Sequence, residues 1–175
     1  GGGGLWNDAD LTLTDVAFEA NYTDEEGGGG LYTTGSSPIL RNVTFRGNRS
    51  GESGGGLYSE AGPNRGSPRL TDVIFAENWT DDHGGGMFSR GGNPTLINVV
   101  FVGNQAQPRG VGGGLYTTEG NPTLTNVTFD GNQSDGVGGG LYMNVGPGSG
   151  SPRLTNVLFA RNSAGDQGGG LFSQG

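Results

Sequence analysis

One short segment of the chain combines side chains that general acid–base catalysis uses. Asp81, Asp82 and His83 follow one another, and His83 is the single histidine of the sequence. Glycoside hydrolysis needs a pair of carboxylic acids in a cleft, but no long insertion near this segment could build cleft walls. The chain has no cysteine, which excludes a thiolate nucleophile and cysteine-ligated metals. We therefore interpret the segment as a polar turn and predict no catalytic residue.

A wider set of carboxylates recurs three or four residues after a repeated asparagine. In stacked repeats these groups would approach one another, and Ca²⁺ is a hard cation that binds such oxygens. The sequence lacks the GGxGxDxUx pattern of calcium-binding solenoids. We therefore favour a solvated turn edge that opposes aggregation, with calcium as the alternative and no other cofactor. The set comprises Asp24, Glu25, Glu52, Asp81, Asp82, Asp135 and Asp166.

Six asparagines occupy the last position of a repeated F-x-x-N pattern. In stacked repeats their amides can hydrogen-bond from one repeat to the next, as side-chain ladders do, and we favour this structural role. Four of them begin an N-x-S/T sequence, as do Asn42 and Asn126, which we expect at an exposed bend and regard as better glycosylation candidates. The ladder comprises Asn21, Asn48, Asn78, Asn104, Asn132 and Asn162.

Aromatic residues also recur in phase, each directly after an aliphatic residue. Alternation along a strand places the two side chains on opposite faces. If the aliphatic residues are inside, the aromatics form either an exposed stripe, which marks an interaction surface, or a partly covered column. The sequence leaves both arrangements open. The stripe comprises Trp6, Tyr32, Tyr58, Phe88, Tyr116, Tyr142 and Phe172.

All of these residues belong to a repeat that returns every 26 to 30 residues. Three glycines, an aliphatic residue and an aromatic occur seven times, and L-x-[ND]-V-x-F-x-x-N occurs six times between them. The length differences fall in the loop before the L-x-[ND]-V segment and in the loop after the ladder asparagine, where solvated loops tolerate change. Such a pattern is typical of a solenoid with one coil per repeat.

The apolar runs indicate strands rather than helices. They are short, rich in Val, Phe, Tyr and Thr, and separated by Gly, Pro, Asn and Asp. Asn and Asp tolerate the left-handed backbone region, so we expect a bend before each valine that points Leu, Val and Phe into one core. We predict an all-β fold: a single right-handed parallel β-helix over residues 1–175, with about six to seven coils and three short strands per coil. The predicted strands are G-L-aromatic, P-x-L-x and V-x-F.

The combination of GGG-L with F-x-x-N resembles the GGA-I and F-x-x-N repeats of polymorphic outer membrane proteins. It is equally similar to repeats of large bacterial surface proteins of the right-handed parallel β-helix type. The resemblance covers the whole chain, which differs in having Gly in place of Ala and a fixed aromatic after the aliphatic residue. It implies a secreted or cell-surface location and a role in adhesion or as a structural stalk, without a catalytic site in the repeats.

Charge and hydropathy restrict the partners. The net charge is −8, and the nine basic residues, all arginines, are scattered, so the basic stripe of a nucleic-acid-binding protein is missing. No segment approaches the eighteen apolar residues of a membrane-spanning helix. We therefore expect no nucleic acid and no membrane span, and consider glycans or a host or cell surface as partners.

We expect a non-catalytic structural or adhesive β-solenoid that is extracellular or at a cell surface. The alternative is a carbohydrate-binding or polysaccharide-cleaving β-helix module, which a groove of clustered acids beside the aromatic stripe would favour. Both ends carry ordinary repeat sequence, "GGGGLW" and "GGGLFSQG". We therefore expect further coils of the same chain, or head-to-tail contacts between copies that build a filament.

Overall fold

The computed structural model describes residues 1–61, 66–146 and 150–175. Within these ranges the chain forms twenty β-strands, numbered in chain order, which assemble into three parallel sheets. None of the described residues belongs to a helix that is long and apolar enough to cross a membrane. The all-β solenoid of about six coils confirms the predicted fold class.

Sheet A contains the G-L-aromatic segments, which pair in register from coil to coil. Leu31 pairs with Leu57, and Tyr32 pairs with Tyr58. The strands are β1 (Leu5–Asn7), β4 (Leu31–Thr34), β7 (Leu57–Glu60), β11 (Met87–Arg90), β14 (Leu115–Thr118), β17 (Leu141–Asn144) and β20 (Leu171–Gln174).

Sheet B contains the P-x-L-x and V-x-F segments. The Asn or Asp between them has φ between 49° and 57°, so the chain bends there while the strand continues in five of the six coils. In the remaining coil the strand is interrupted at Asp72. The strands are β2 (Thr12–Glu19), β5 (Ile39–Arg46), β8 (Arg69–Thr71), β9 (Ile74–Ala76), β12 (Thr95–Val102), β15 (Thr123–Asp130) and β18 (Arg153–Ala160).

Sheet C is formed by the two residues that follow each ladder asparagine. Its strands are β3 (Tyr22–Thr23), β6 (Arg49–Ser50), β10 (Trp79–Thr80), β13 (Gln105–Ala106), β16 (Gln133–Ser134) and β19 (Ser163–Ala164). The number of three strands per coil is confirmed, but their assignment differs. P-x-L-x and V-x-F share a strand in five of the six coils, because the bend preserves the backbone hydrogen bonds between coils. The third strand lies in a polar segment that we predicted as loop.

The predicted core residues are buried together. Leu57, Leu70, Val73 and Phe75 of a central coil are each at most 1% exposed. The phenylalanines of adjacent coils stack with ring centroids 4.7 to 5.1 Å apart, which follows from the strand spacing of about 4.8 Å. The Leu, Leu, Val and Phe of each coil therefore build one continuous hydrophobic column.

The middle glycine of the GGG segment marks a close approach between adjacent coils. A Cβ added to Gly85 would lie 2.4 Å from the backbone oxygen of Gln105 and 2.5 Å from that of Gly113. Both neighbours are backbone atoms, so they could move only if the coils separated. The recurrence of glycine here is a requirement of coil stacking.

Candidate functional site

The six F-x-x-N asparagines form one continuous hydrogen-bonded column. Asn78 Nδ2 donates to Asn104 Oδ1 and to the carbonyl oxygen of Phe45, each at 2.9 Å. Its Oδ1 accepts from the backbone N and from Nδ2 of Asn48, each at 3.0 Å. The amide therefore uses its full hydrogen-bonding capacity, as a buried polar group must. The column members that are completely buried are Asn48, Asn78, Asn104 and Asn132.

Burial also bears on the N-x-S/T sequences of this column. Asn48, Asn78 and Asn132 begin such sequences, and their side chains have 0% exposure. Nδ2, the atom that a glycan would modify, is engaged in two hydrogen bonds at each of them. In the folded chain these three asparagines serve the ladder and are closed to modification.

A second polar column follows the bend of sheet B. Asn98 Nδ2 donates to Asp72 Oδ1 at 2.9 Å, and Asn126 Nδ2 donates to Asn98 Oδ1 at 3.1 Å. The glycosylation candidates Asn42 and Asn126 are exposed here, but each Nδ2 donates to the preceding coil. Modification at either position would therefore replace a hydrogen bond of this column. Its members are Asp15, Asn42, Asp72, Asn98, Asn126 and Asn156.

The aromatic column projects outward from sheet A but is largely covered. Trp6 is 49% exposed, whereas Phe88 is 7% and Tyr142 is 8% exposed. From Tyr32 to Tyr142 the ring centroids lie 4.7 to 4.9 Å apart, with planes within 8° of parallel. Of the two arrangements that the sequence leaves open, the structure shows the partly covered column.

This stacking decides which part of each ring a ligand could reach. Both faces of an internal ring lie against neighbouring rings, so only its edge faces outward. A sugar that stacks on aromatic side chains uses a ring face. The column therefore offers no platform of that kind between Tyr32 and Tyr142.

The acidic residues lie in two neighbouring columns of the turn. At the third position after the ladder asparagine, Asp24, Asp81 and Asp135 alternate with Gly51 and Gln107. The three carboxylates thus lie on every second coil, about 9.6 Å apart at a coil spacing of about 4.8 Å. Glu25, Glu52 and Asp82 lie one residue further along on three successive coils, and Asp166 holds the same position in the last coil.

The carboxylates do not meet around a common point. Nowhere in residues 1–61, 66–146 and 150–175 do three or more His, Asp or Glu side chains come close enough to hold a metal ion. Asp24 instead accepts a hydrogen bond from the hydroxyl of Tyr22. Asp82 Oδ2 accepts one from Ser53 Oγ at 2.8 Å. These contacts are local and polar, as at a solvated turn edge.

The Asp81-Asp82-His83 segment lies at the side of the aromatic column. The His83 ring stacks on Tyr116, with centroids 5.0 Å apart. Its Nδ1 accepts the backbone N–H of Val111 at 3.3 Å and lies 3.2 Å from Asp82 Oδ1. Nδ1 thus lies between a backbone donor and a carboxylate acceptor.

Residues that depart from the repeat converge beside His83. Arg90 occupies a sheet A position that is Thr, Glu or Asn in neighbouring coils, and its guanidinium approaches Glu119 Oε1 at 3.5 Å and Glu60 Oε1 at 3.8 Å. His83, Arg90 and Glu119 line an open groove of about 370 Å³ on the outer face of sheet A. The groove residues are Ser53, Asp82, His83, Phe88, Arg90, Tyr116, Thr118, Glu119 and Asn144.

The tyrosines of the column are weak acids that stay protonated at neutral pH. Burial raises the pKa of Tyr32, Tyr58, Tyr116 and Tyr142 above the ordinary value of 10.0. At Tyr58 the carboxylate of Glu60 raises the pKa further. Neutral hydroxyls result, which can hydrogen-bond a ligand but do not supply a tyrosinate at neutral pH.

The sequence reasoning missed an aromatic–arginine cluster on the outer side of sheet C. The guanidinium carbon of Arg49 lies 4.1 Å from the centre of the Trp79 ring and 5.8 Å from that of Tyr22. Such cation–π contacts stabilise surfaces modestly. The residue directly after each ladder asparagine carries the sequence signal, since Tyr22, Arg49 and Trp79 all occupy that position. The signal predicts stacked side chains only if that segment is recognised as a strand.

The three parallel sheets and the stacked columns define a parallel β-helix of the solenoid class. The family profile described as the right-handed beta helix region matches residues 3–174. Because the match spans nearly the whole sequence, the chain belongs to this family. Comparison with curated proteins gave no match, and comparison with solved structures gave none.

Proposed function

We propose that this β-helix is a non-catalytic rod with a structural or adhesive role outside the cell or at its surface. The observation that supports the proposal best is the uniformity of the coil interfaces. The Phe, aromatic and Asn columns run through successive coils with the same contacts. A rod needs this arrangement. A β-helix that hydrolyses glycosidic bonds instead needs a site at which a pair of carboxylic acids interrupts the repeat.

The proposed extracellular or cell-surface location depends on a resemblance in the repeat motifs. GGG-L in phase with F-x-x-N is similar to the repeats of polymorphic outer membrane proteins, which implies secretion or surface display. The proposal includes end-to-end stacking, because each coil pairs with parallel neighbours through all three sheets. Further coils, of the same polypeptide or of another copy, would extend those sheets without a new kind of contact.

Single-molecule force spectroscopy tests the mechanical role of the rod. We expect the chain to unravel one coil at a time, because each coil contacts only its neighbours. Each step should release the 26 to 30 residues of a repeat. Release of the whole chain in a single step, or at negligible force, would contradict a mechanical role for the rod.

A second candidate function is carbohydrate binding or cleavage in the groove beside His83. It is favoured because His83, Arg90 and Glu119, which break the repeat, lie together with Asp82 in one groove. A saccharide there would be held by charged and hydroxyl groups along the ring edges, since the ring faces are covered.

Incubation with a panel of polysaccharides separates the two candidates. If the chain is a rod, we expect no polysaccharide to be cleaved. Replacing His83 and Arg90 by alanine should then leave adhesion unchanged. Cleavage that the His83→Ala chain loses while keeping its wild-type melting temperature would establish the second candidate. Glu77→Ala, on an exposed turn remote from the groove residues, is the matched control.

A further inference from the structure

The outer face of sheet B, after the bend, is unusually apolar for a solvent-facing surface. We call this surface the flat facet. Its first column consists of Ala17, Thr44, Ile74, Val100, Thr128 and Leu158, one from each coil. Its second column consists of Glu19, Arg46, Ala76, Val102, Asp130 and Ala160.

Several aliphatic side chains of the flat facet are open to solvent. Leu158 is 56%, Ile74 is 43% and Val102 is 36% exposed. Seven of the twelve facet positions are aliphatic, two are threonine and three are charged. A contiguous exposed apolar surface on a sheet is typical of a protein–protein contact.

The order of residues along the facet is self-complementary. Consider a twofold axis that runs parallel to the strands, above the facet and between β9 and β12. Rotation about this axis places a second copy on the facet with its coils in reverse order. Each column of one copy then faces the same column of the other. Small residues face large ones at two pairs, Ala17 with Leu158 and Ala76 with Val102, and the branched Ile74 and Val100 face each other at the centre.

Two of the polar pairs match under the same rotation, whereas Glu19 faces Ala160. Thr44 faces Thr128, and the cation Arg46 faces the carboxylate of Asp130. Among the described residues Arg46 has no ion-pair partner, whereas Asp130 is bound by the exposed Arg161 of its own chain. Arg46 of a second copy would add a second cation to that carboxylate.

We propose that the flat facet is a self-association surface on which a second copy of this chain packs in reverse coil order. Two sheets pack face to face about 10 Å apart with interdigitating side chains, which the alternation of small and large residues allows. Six strands at about 4.8 Å and three residues at about 3.3 Å give a contact of roughly 300 Å² per copy. Stable interfaces bury about 800 Å² per partner, so the dimer is weak and forms at high local concentration.

Substitutions on one strand provide a sharp test. Val102 and Ile97 both lie on β12 with similar exposure, 36% and 38%, but Ile97 lies before the Asn98 bend and outside the flat facet. By sedimentation equilibrium, Val102→Lys should weaken dimerisation at least about tenfold, because the charge would be desolvated. Ile97→Lys should leave it unchanged. Leu158→Lys, at the most exposed facet position, serves if Val102→Lys lowers the melting temperature.

A charge swap tests the rotation itself. Arg46→Asp should weaken the dimer, and adding Asp130→Arg on the same chain should restore part of the loss, because opposite charges face each other again while the pair with Arg161 is lost. A chain that stays monomeric at the highest soluble concentration would overturn the proposal. So would association that Val102→Lys and Ile97→Lys affect equally, which would place the contact elsewhere.

Discussion

Asp72 interrupts the polar column at the bend of sheet B. Its carboxylate accepts a hydrogen bond from Asn98, but an ionised carboxylate cannot donate one to the Asn42 oxygen on its other side. Within the described part of the chain, no side-chain hydrogen bond joins Asn42 to Asp72. The strand of sheet B is also interrupted in this coil, between β8 and β9. An asparagine at this position could donate in one direction and accept from the other.

We predict that Asp72→Asn stabilises the fold by about 0.5 to 1 kcal/mol, the value of one additional net hydrogen bond. The free energy of unfolding in urea, compared with that of the unaltered chain at neutral pH, measures the gain. The reverse change, Asn98→Asp, is the matched control. It removes the donor to Asp72 and sets two carboxylates side by side, so it should destabilise. Equal stability of all three chains would contradict the hydrogen-bond explanation.

At the residue scale, sequence reasoning captured periodic roles better than local contacts. The F-x-x-N period was enough to predict a ladder at Asn78, because stacking forces identical side chains together. The acidic residues show the limit of a count along the chain, since Asp24, Asp81 and Asp135 alternate with Gly51 and Gln107 in one column. The contact of Arg90 with Glu119 joins residues 29 positions apart through loops of different length, which no period predicts.

At the scale of the repeated element, the GGG segment sets how closely coils approach. We predict that Gly85→Ala destabilises the chain by at least about 3 kcal/mol, because its Cβ would overlap two backbone oxygens that cannot move independently. Chemical denaturation measures the loss. A loss below about 1 kcal/mol would show that adjacent coils can separate locally at little cost.

Gly131 is the matched control for Gly85. It has φ of 64°, and a Cβ added to it would meet no heavy atom within 4 Å. Ala20, Glu77 and Arg161 occupy the same place in other coils with φ of 53°, 58° and 54°. Gly131→Asn should therefore cost about 1 kcal/mol or less, since asparagine tolerates left-handed backbone. The contrast separates a requirement for space from a requirement for backbone conformation.

The strands could be predicted only where apolar residues alternate. V-x-F and G-L-aromatic carry that signal, and both are strands in the structure. Sheet C is built from pairs such as Arg49–Ser50 and Gln133–Ser134, which have neither alternation nor high strand propensity. They are strands because the coils on either side hold their backbone in register. Tertiary context therefore decided an element that local sequence did not indicate.

At the scale of the whole molecule, the aromatic column ties the stability of the rod to alkaline pH. Burial raises the pKa of Tyr32, Tyr58, Tyr116 and Tyr142 in the folded chain above the ordinary value of 10.0. A raised pKa in the folded state means that the unfolded chain releases these protons first. The stabilisation is therefore complete below pH 10 and is lost as pH rises through the raised values.

We predict that the free energy of unfolding falls above pH 10, with tyrosinate absorbance appearing as the chain unfolds. Tyr58→Phe tests the cause, because Phe88 and Phe172 show that phenylalanine fits the column and stacks with its neighbours. This variant should keep its stability at neutral pH and lose less of it in alkali, since one buried phenol no longer ionises. If the tyrosines instead titrate at their ordinary value while the fold stays intact, the column does not exclude water as the structure indicates. An alkaline decline that Tyr58→Phe leaves unchanged would assign it to other groups, the arginines among them.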